Sequence, residues 1–129
     1  MSLSIDGTVY NINVVSLKRT ADFLDKSAER NELGQLLRQL IGVYYNYQLS
    51  LSPGTNMTTT QYQAFWTIIT APEEFHTVIV PDADGTPYSF LAYFAGVSDE
   101  LRKDYTNKTY WKNLTINFIA QSPSRVPTP

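Results

Sequence analysis

A long run of alternating apolar and polar residues is the feature that most constrains how this chain can fold. It extends from Leu37 to Leu51, and side chains alternate between two faces with a period of two only in a β-strand. One face would carry Leu37, Ile41, Val43, Tyr45, Tyr47, Leu49 and Leu51, and the other Arg38, Gly42, Tyr44, Asn46, Gln48 and Ser50. The pattern predicts a long strand with one buried face. Gly42 in its middle predicts a bulge or a close backbone approach.

Shorter strands are predicted before and after this run. Leu3 to Asn13 alternates around an Asp-Gly dipeptide that favours a tight hairpin turn, and Val14 to Thr20 forms a third strand or continues the second. Phe75 to Val80 and Tyr88 to Val97 are rich in β-branched and aromatic residues, with turn residues between them. Tyr110 to Gln121 alternates again and is predicted to close the sheet.

One helix is predicted after Pro53 to Asn56 breaks the long strand. Thr58, with Gln61 three residues later, has the form of a capping box. Four apolar residues then recur at helical spacing and form one stripe: Tyr62, Phe65, Trp66 and Ile69. An amphipathic helix needs such a stripe for its contact with a sheet, so we interpret it as core and not as a ligand platform. Pro72 predicts that the helix ends near Ala71.

Together these elements predict an α+β fold that is mainly β. We expect an antiparallel β-sandwich or open barrel of six to seven strands with one helix packed on it. The length of 129 residues fits a single domain, which we place at 1–121. Residues 122–129 contain three prolines and no apolar pattern, which predicts a flexible tail.

Two polar segments, 21–35 and 98–109, interrupt the alternating pattern. We predict solvated loops or extended arms there, because long segments without periodic structure are uncommon in compact domains unless they have a function. Their charged side chains are candidate assembly contacts: Asp22, Asp25, Glu29, Arg30, Glu32, Arg102, Lys103 and Lys108. The first segment is largely acidic and the second partly basic, so the two can meet across a subunit boundary.

Composition argues against several classes of function. The net charge is −2 from 10 basic and 12 acidic residues without a block of either sign, so we expect no specific nucleic-acid binding and no membrane contact. There is no cysteine for a disulfide, a thiolate metal site or a nucleophile. The first residues lack a basic segment followed by an apolar run, so we expect synthesis in the cytoplasm without export by that route.

The residues that could carry chemistry each have a simpler structural interpretation. His76 follows Glu73-Glu74 and could bind a metal or transfer a proton, but no second histidine exists to complete a zinc-type site. The string from Asp82 to Gly85 resembles the start of a calcium loop, yet no acidic ligand follows within the next strand, so a hairpin turn is favoured. We therefore predict no catalytic residue, no metal and no cofactor.

Several strings of the sequence resemble small tail structural proteins encoded in prophages of Gram-positive bacteria. These strings are Val14 to Thr20, Asp25 to Arg30, Ile41 to Tyr47, Pro72 to Val78 and Tyr110 to Ile116. Where such a family has Thr-x-x-Gly after Glu-Arg, this chain has Asn31-Glu32-Leu33-Gly34. The resemblance implies a non-enzymatic tail or baseplate component, similar to tail-tube and distal-tail proteins. Such a protein would assemble into a ring, for example a hexamer, contact other tail proteins and reside in the virion tail.

An alternative function remains open at this point. The chain contains nine tyrosines, and three of them fall in the run from Val43 to Tyr47. Because tyrosine is favoured where a surface meets a partner, the chain is also compatible with a monomeric carbohydrate- or peptide-binding β-module. An assembly protein would change its mass with concentration, whereas a binding module would stay monomeric.

Overall fold

A computed structural model of the protein describes residues 2–11, 14–52, 58–105 and 108–127. Its elements are β1 (Ser2–Ile5), β2 (Thr8–Asn11), β3 (Val14–Arg30), β4 (Leu36–Leu51), α1 (Thr59–Ile69), β5 (His76–Pro81), β6 (Pro87–Tyr105) and β7 (Lys108–Ala120). The predicted break at Pro53 to Asn56 lies outside the described residues. The predicted hairpin of β1 and β2 is confirmed, and Asp6 and Gly7 have φ of 52° and 87° as a two-residue turn of this kind requires.

The strands form one open antiparallel sheet in the order β2-β1-β5-β6-β7-β4-β3. The prediction of a mainly β, antiparallel fold of six to seven strands with one helix is confirmed. The sheet is curved, because Tyr47 of β4 packs on Phe90 of β6 with ring centroids 5.2 Å apart although β7 lies between these strands. Arg19 of the edge strand β3 likewise reaches Asp82 at the end of β5, with 2.7 Å between Nη1 and Oδ1.

The hydrophobic core lies between α1 and the concave face of the sheet. Its fully buried members come from β1, β4, β5, β6 and β7, namely Leu3, Ile5, Leu49, Leu51, Val78, Ala92, Leu114, Ile116 and Phe118, joined by Phe65 of the helix. The predicted helix stripe is core at Tyr62, Phe65 and Ile69, whereas Trp66 is only partly buried. Burial of this face places the helix against the sheet.

The ends of α1 follow the local sequence. The capping box is confirmed, since Thr58 Oγ1 accepts from the Gln61 amide at 3.1 Å and Gln61 Oε1 accepts from the Thr58 amide at 2.9 Å. The helix ends at Ile69, with Thr70 as the C-cap, which is close to the end predicted near Ala71. Thr70 donates its amide and its hydroxyl to the Trp66 carbonyl, so two bonds finish the last turn before Pro72.

The long strand β4 is confirmed, but its two faces exchange at a bulge. Leu24 pairs with Gly42 and Asp25 with Leu40, so Ile41 is an extra residue on β4. Because one extra residue reverses the alternation, Leu37 does not share a face with Val43 as predicted. Arg38 lies there instead, with its guanidinium 5.4 Å from the centre of the Phe23 ring.

The C-terminal segment is attached to β4, which differs from the flexible tail predicted for 122–129. Within its described part, 122–127, the Ser124 amide donates to the Val43 carbonyl at 2.8 Å, and the Val43 amide donates to the Arg125 carbonyl at 2.9 Å. The Ser124 hydroxyl accepts from Tyr88 at 2.8 Å. A Cβ on Gly42 would lie 2.6 Å from the Pro123 ring, so the predicted close approach at this glycine is confirmed. β7 pairs with β4 only from Tyr47 to Leu51, so it leaves the backbone amide and carbonyl of Val43 without a partner in the sheet. A proline-rich segment can dock here because it supplies the missing hydrogen bonds.

Candidate assembly surface

The two polar segments, 21–35 and 98–109, are β-hairpins in the described residues and not loops. The first belongs to β3 and its turn into β4, and the second joins β6 to β7. Sequence alternation did not reveal the strand in the first segment because neither of its faces is buried, so no period-two pattern of apolar residues is required there. Backbone hydrogen bonds between the paired strands order them instead.

The outer half of the β3–β4 hairpin extends beyond the sheet; we call residues 24–42 the arm. β7 pairs with β4 only from Tyr47 to Leu51, and the C-terminal segment pairs with β4 at Val43. Beyond Val43 the described part of the chain pairs with neither outer edge of the arm. Seven β4 residues, Leu36 to Gly42, therefore project about 23 Å at 3.3 Å per residue.

The arm is exposed on both faces. From residue 26 to residue 39, every residue is exposed except Asn31, which is half-buried. Its large apolar side chains are uncovered nonetheless: Leu24 at 47 %, Leu33 at 84 %, Leu36 at 52 %, Leu37 at 53 % and Ile41 at 42 %. A two-stranded hairpin is marginally stable in water, and clustered exposed apolar side chains mark interaction sites. The arm therefore carries more of the exposed large apolar side chains than any other element of the described chain.

Polar contacts within the arm hold its shape. Asn31 Oδ1 accepts from the Leu33 and Gln35 amides, both at 3.0 Å, which orders the terminal turn. Arg30 Nη1 donates to the Gly34 carbonyl at 2.7 Å, where Gly34 has φ of 79°. The turn thus presents Leu33 in one defined position.

The acidic residues predicted as assembly contacts differ in availability. Asp25 is paired with Arg38 across the arm, and Asp22 accepts from Asn46 at 2.6 Å, so both serve contacts within the chain. Glu29 and Glu32 are exposed and form no ion pair among the described residues. These two carboxylates are the acidic groups that remain available to a partner.

The three basic residues predicted as assembly contacts lie on the second hairpin. Arg102 and Lys103 belong to β6, and Lys108 begins β7. The pairing of β6 with β7 is irregular in this hairpin, with register shifts between Ala95 and Lys103. Gly96 has φ of 63°, and its missing Cβ leaves room for the Asn117 amide, which would lie 2.7 Å away. The second hairpin therefore departs from regular pairing, as strands with bulges do.

A hydrogen bond to the helix anchors the second hairpin. Tyr62, a core residue of α1, donates its hydroxyl to Asp99 at 2.7 Å. Desolvation and the neighbouring carboxylate raise the pKa of Tyr62 well above its ordinary value, so the phenol stays protonated and keeps donating. The first hairpin has no such hydrogen bond to the helix among the described contacts.

His76 is a buried member of the core face and not a surface ligand. It is 2 % exposed, stacks on Phe94 at 4.4 Å between ring centres, and places Nδ1 2.6 Å from Asp6 Oδ2. Asp6 also accepts from the Thr77 amide at 2.8 Å. Desolvation raises the pKa of Asp6, but these two hydrogen bonds outweigh it and the net pKa is lowered. An ionised Asp6 only accepts, so Nδ1 carries the proton.

A cleft of about 670 Å³ opens beside His76 and includes Glu73, Glu74 and Tyr93 in its lining. No group of three or more metal-ligating side chains occurs in the described ranges. The Asp82 to Gly85 segment is a hairpin turn, in which the Asp84 carboxylate accepts from the amide and hydroxyl of Thr86 and Asp82 pairs with Arg19. Both carboxylates have protein partners there, as the predicted hairpin turn implies.

The tyrosines of β4 contribute to packing more than to a free surface. Tyr47 is 4 % exposed, and Tyr45 packs against the core and against Tyr88, with ring centroids 6.1 Å apart. Tyr44 is half-buried on the opposite face. The tyrosine-rich run therefore does not form a contiguous contact patch.

A scan against protein-family models finds no match to this chain, and a search of curated proteins finds no match either. No helix among the described residues is long and apolar enough to cross a membrane.

Proposed function

We propose that this chain is a non-enzymatic structural protein that self-assembles through its projecting hairpins. The observation that carries the proposal is the arm, a two-stranded ribbon with open outer edges and exposed leucines on a domain whose core is otherwise well covered. Such a ribbon gains stability when a neighbour covers its apolar side chains or pairs with its edge. Assembly therefore gives this part of the sequence a physical role.

The specific form of the proposal is a component of a phage tail or baseplate that builds a ring or tube and contacts other tail proteins. Support for this form comes from the sequence resemblance and from the presence of two long hairpins on one curved sheet. A monomeric carbohydrate- or peptide-binding module is less well supported, because the tyrosines that would form its contact patch are largely packed in the protein.

The test is the mass of the protein in solution, measured by light scattering over a wide concentration range. We expect the mass to rise with concentration and electron micrographs to show rings or short tubes. A strictly monomeric protein at high concentration would refute self-assembly. Oligomers without a closed or tubular form would remove the tail assignment and leave the assembly function in place.

A shortened arm identifies the region responsible. Replacing residues 25–41 by Asn-Gly keeps the Leu24–Gly42 pair and closes it with a two-residue turn. The Phe23–Val43 pair would not accept such a turn, because the Val43 amide and carbonyl bond to the C-terminal segment and not to β3. We expect this variant to stay folded by circular dichroism and to be monomeric. A matched variant with Asn-Gly in place of 101–111 keeps the Glu100–Lys112 pair and reports separately on the second hairpin.

A further inference from the structure

An apolar groove lies at the base of the arm, on the side where the C-terminal segment docks. It has a volume of about 290 Å³, and its lining includes Phe23, Leu40, Val43 and Val126. This volume is several times the roughly 30 Å³ that one water occupies in the liquid, so the groove admits a side chain. Val126 is 66 % exposed, which shows that the described chain leaves one wall of the groove uncovered.

We propose that this groove receives the turn of the arm, residues 31–35, from a second copy of this chain. The proposal rests on the self-assembly proposed above and names the surface that the arm meets. Leu33 is the apolar group that would enter, because it is the most exposed large hydrophobic residue described, at 84 %, and sits on an ordered turn.

Charge complementarity supports a second copy as the occupant. Arg125 lines the groove, is exposed, and forms no ion pair among the described residues. Glu32 precedes Leu33 on the turn and is likewise exposed and unpaired in the described part of the chain. When Leu33 enters the groove, the Glu32 carboxylate comes near the Arg125 guanidinium, and the pair adds orientation to an apolar contact.

The turn that fills the groove must come from another molecule. The arm is an extended ribbon that runs away from the groove, and the seven residues from Gly42 to Leu36 span about 23 Å. A ribbon held by cross-strand hydrogen bonds cannot fold back over that distance. The contact joins two different surfaces, turn and groove, so it is heterologous and propagates from copy to copy until a ring closes or a filament grows.

The experiment uses one variant that disables the turn, Leu33→Asp, and one that disables the groove, Val126→Asp. Each should lower the association constant by about ten- to a hundred-fold, the factor expected when a leucine-sized side chain is left unburied. A 1:1 mixture of the two should form a dimer and stop there, because one intact turn meets one intact groove. Light scattering and native mass spectrometry measure both results. Leu91→Asp and Val9→Asp, at positions that are 46 % and 66 % exposed, are the matched controls and should assemble like the parent.

A charge exchange tests the pairing directly. Glu32→Arg and Arg125→Glu should each weaken assembly, and the double variant that carries both should recover it. If the parent assembles but both Leu33→Asp and Val126→Asp assemble equally well, or their mixture gives no dimer, the groove contact is wrong while self-assembly stands. If the parent is monomeric throughout, self-assembly itself fails.

Discussion

Phe65 and Phe23 are the same residue type in two regions of opposite character. Phe65 lies on α1, is fully buried and touches Tyr10 edge-on with ring centroids 5.1 Å apart. Phe23 lies where the arm leaves the sheet, is 60 % exposed and has the Arg38 guanidinium above its ring. The body of the protein is stabilised by burial, whereas the arm depends on hydrogen bonds and a few polar pairs. The two regions of one chain are therefore held in shape by different interactions.

The largest expected difference in stability is the one between replacing Phe65 and replacing Phe23 by alanine. Phe65→Ala should lower the free energy of unfolding by about 3–5 kcal/mol, since it leaves a cavity in the core. Phe23→Ala should cost no more than about 1 kcal/mol, the scale of an exposed cation–π contact. Urea denaturation of the monomeric protein measures both. Equal losses would show that the arm is as tightly packed as the body.

Gly42→Ala tests how the C-terminal segment holds the base of the arm. The new Cβ would lie 2.6 Å from Pro123 and 2.8 Å from the Arg125 carbonyl, so the C-terminal segment must move. We expect a loss of about 1–3 kcal/mol, the usual cost of overpacking, and faster hydrogen exchange at the Val43 amide. In a protein truncated after Gln121 the same substitution should cost almost nothing. A full cost in the truncated protein would place the conflict within the arm itself.

The smallest expected effect concerns Asp6 in the body. Its pKa is lowered from 3.8 in the folded protein, so its contribution to stability is present above that value and is lost as the pH falls through the folded pKa. Asp6→Asn should cost about 1 kcal/mol at neutral pH, a figure reduced because the side chain is 37 % exposed. The variant should also lose less stability than the parent as the pH falls below 3.8. Identical acid profiles in urea melts would contradict the assigned role of the Asp6–His76 pair.

Local signals in the sequence determined much of the body. The alternation in β4, the Asp6-Gly7 turn and the Thr58–Gln61 capping box act over a few residues, so each could be recognised without a structure. The core role of the helix stripe also followed, because helical spacing brings those side chains to one side. Burial alone then decided that Phe65 lies deeper than Trp66.

Contacts between distant residues were decided only by the tertiary structure. The Asp6–His76 pair joins residues 70 apart, and the docking of Ser124 on β4 depends on backbone groups that β7 leaves unpaired. The pairing of the arm's two strands was not predicted for a related reason. An exposed ribbon has no buried face, so its sequence needs no alternation of apolar and polar residues. The sequence by itself therefore determined the elements that are stabilised by residues close to one another along the chain. The fold decided which edges, grooves and apolar side chains remain open, since exposure depends on what the rest of the chain fails to cover.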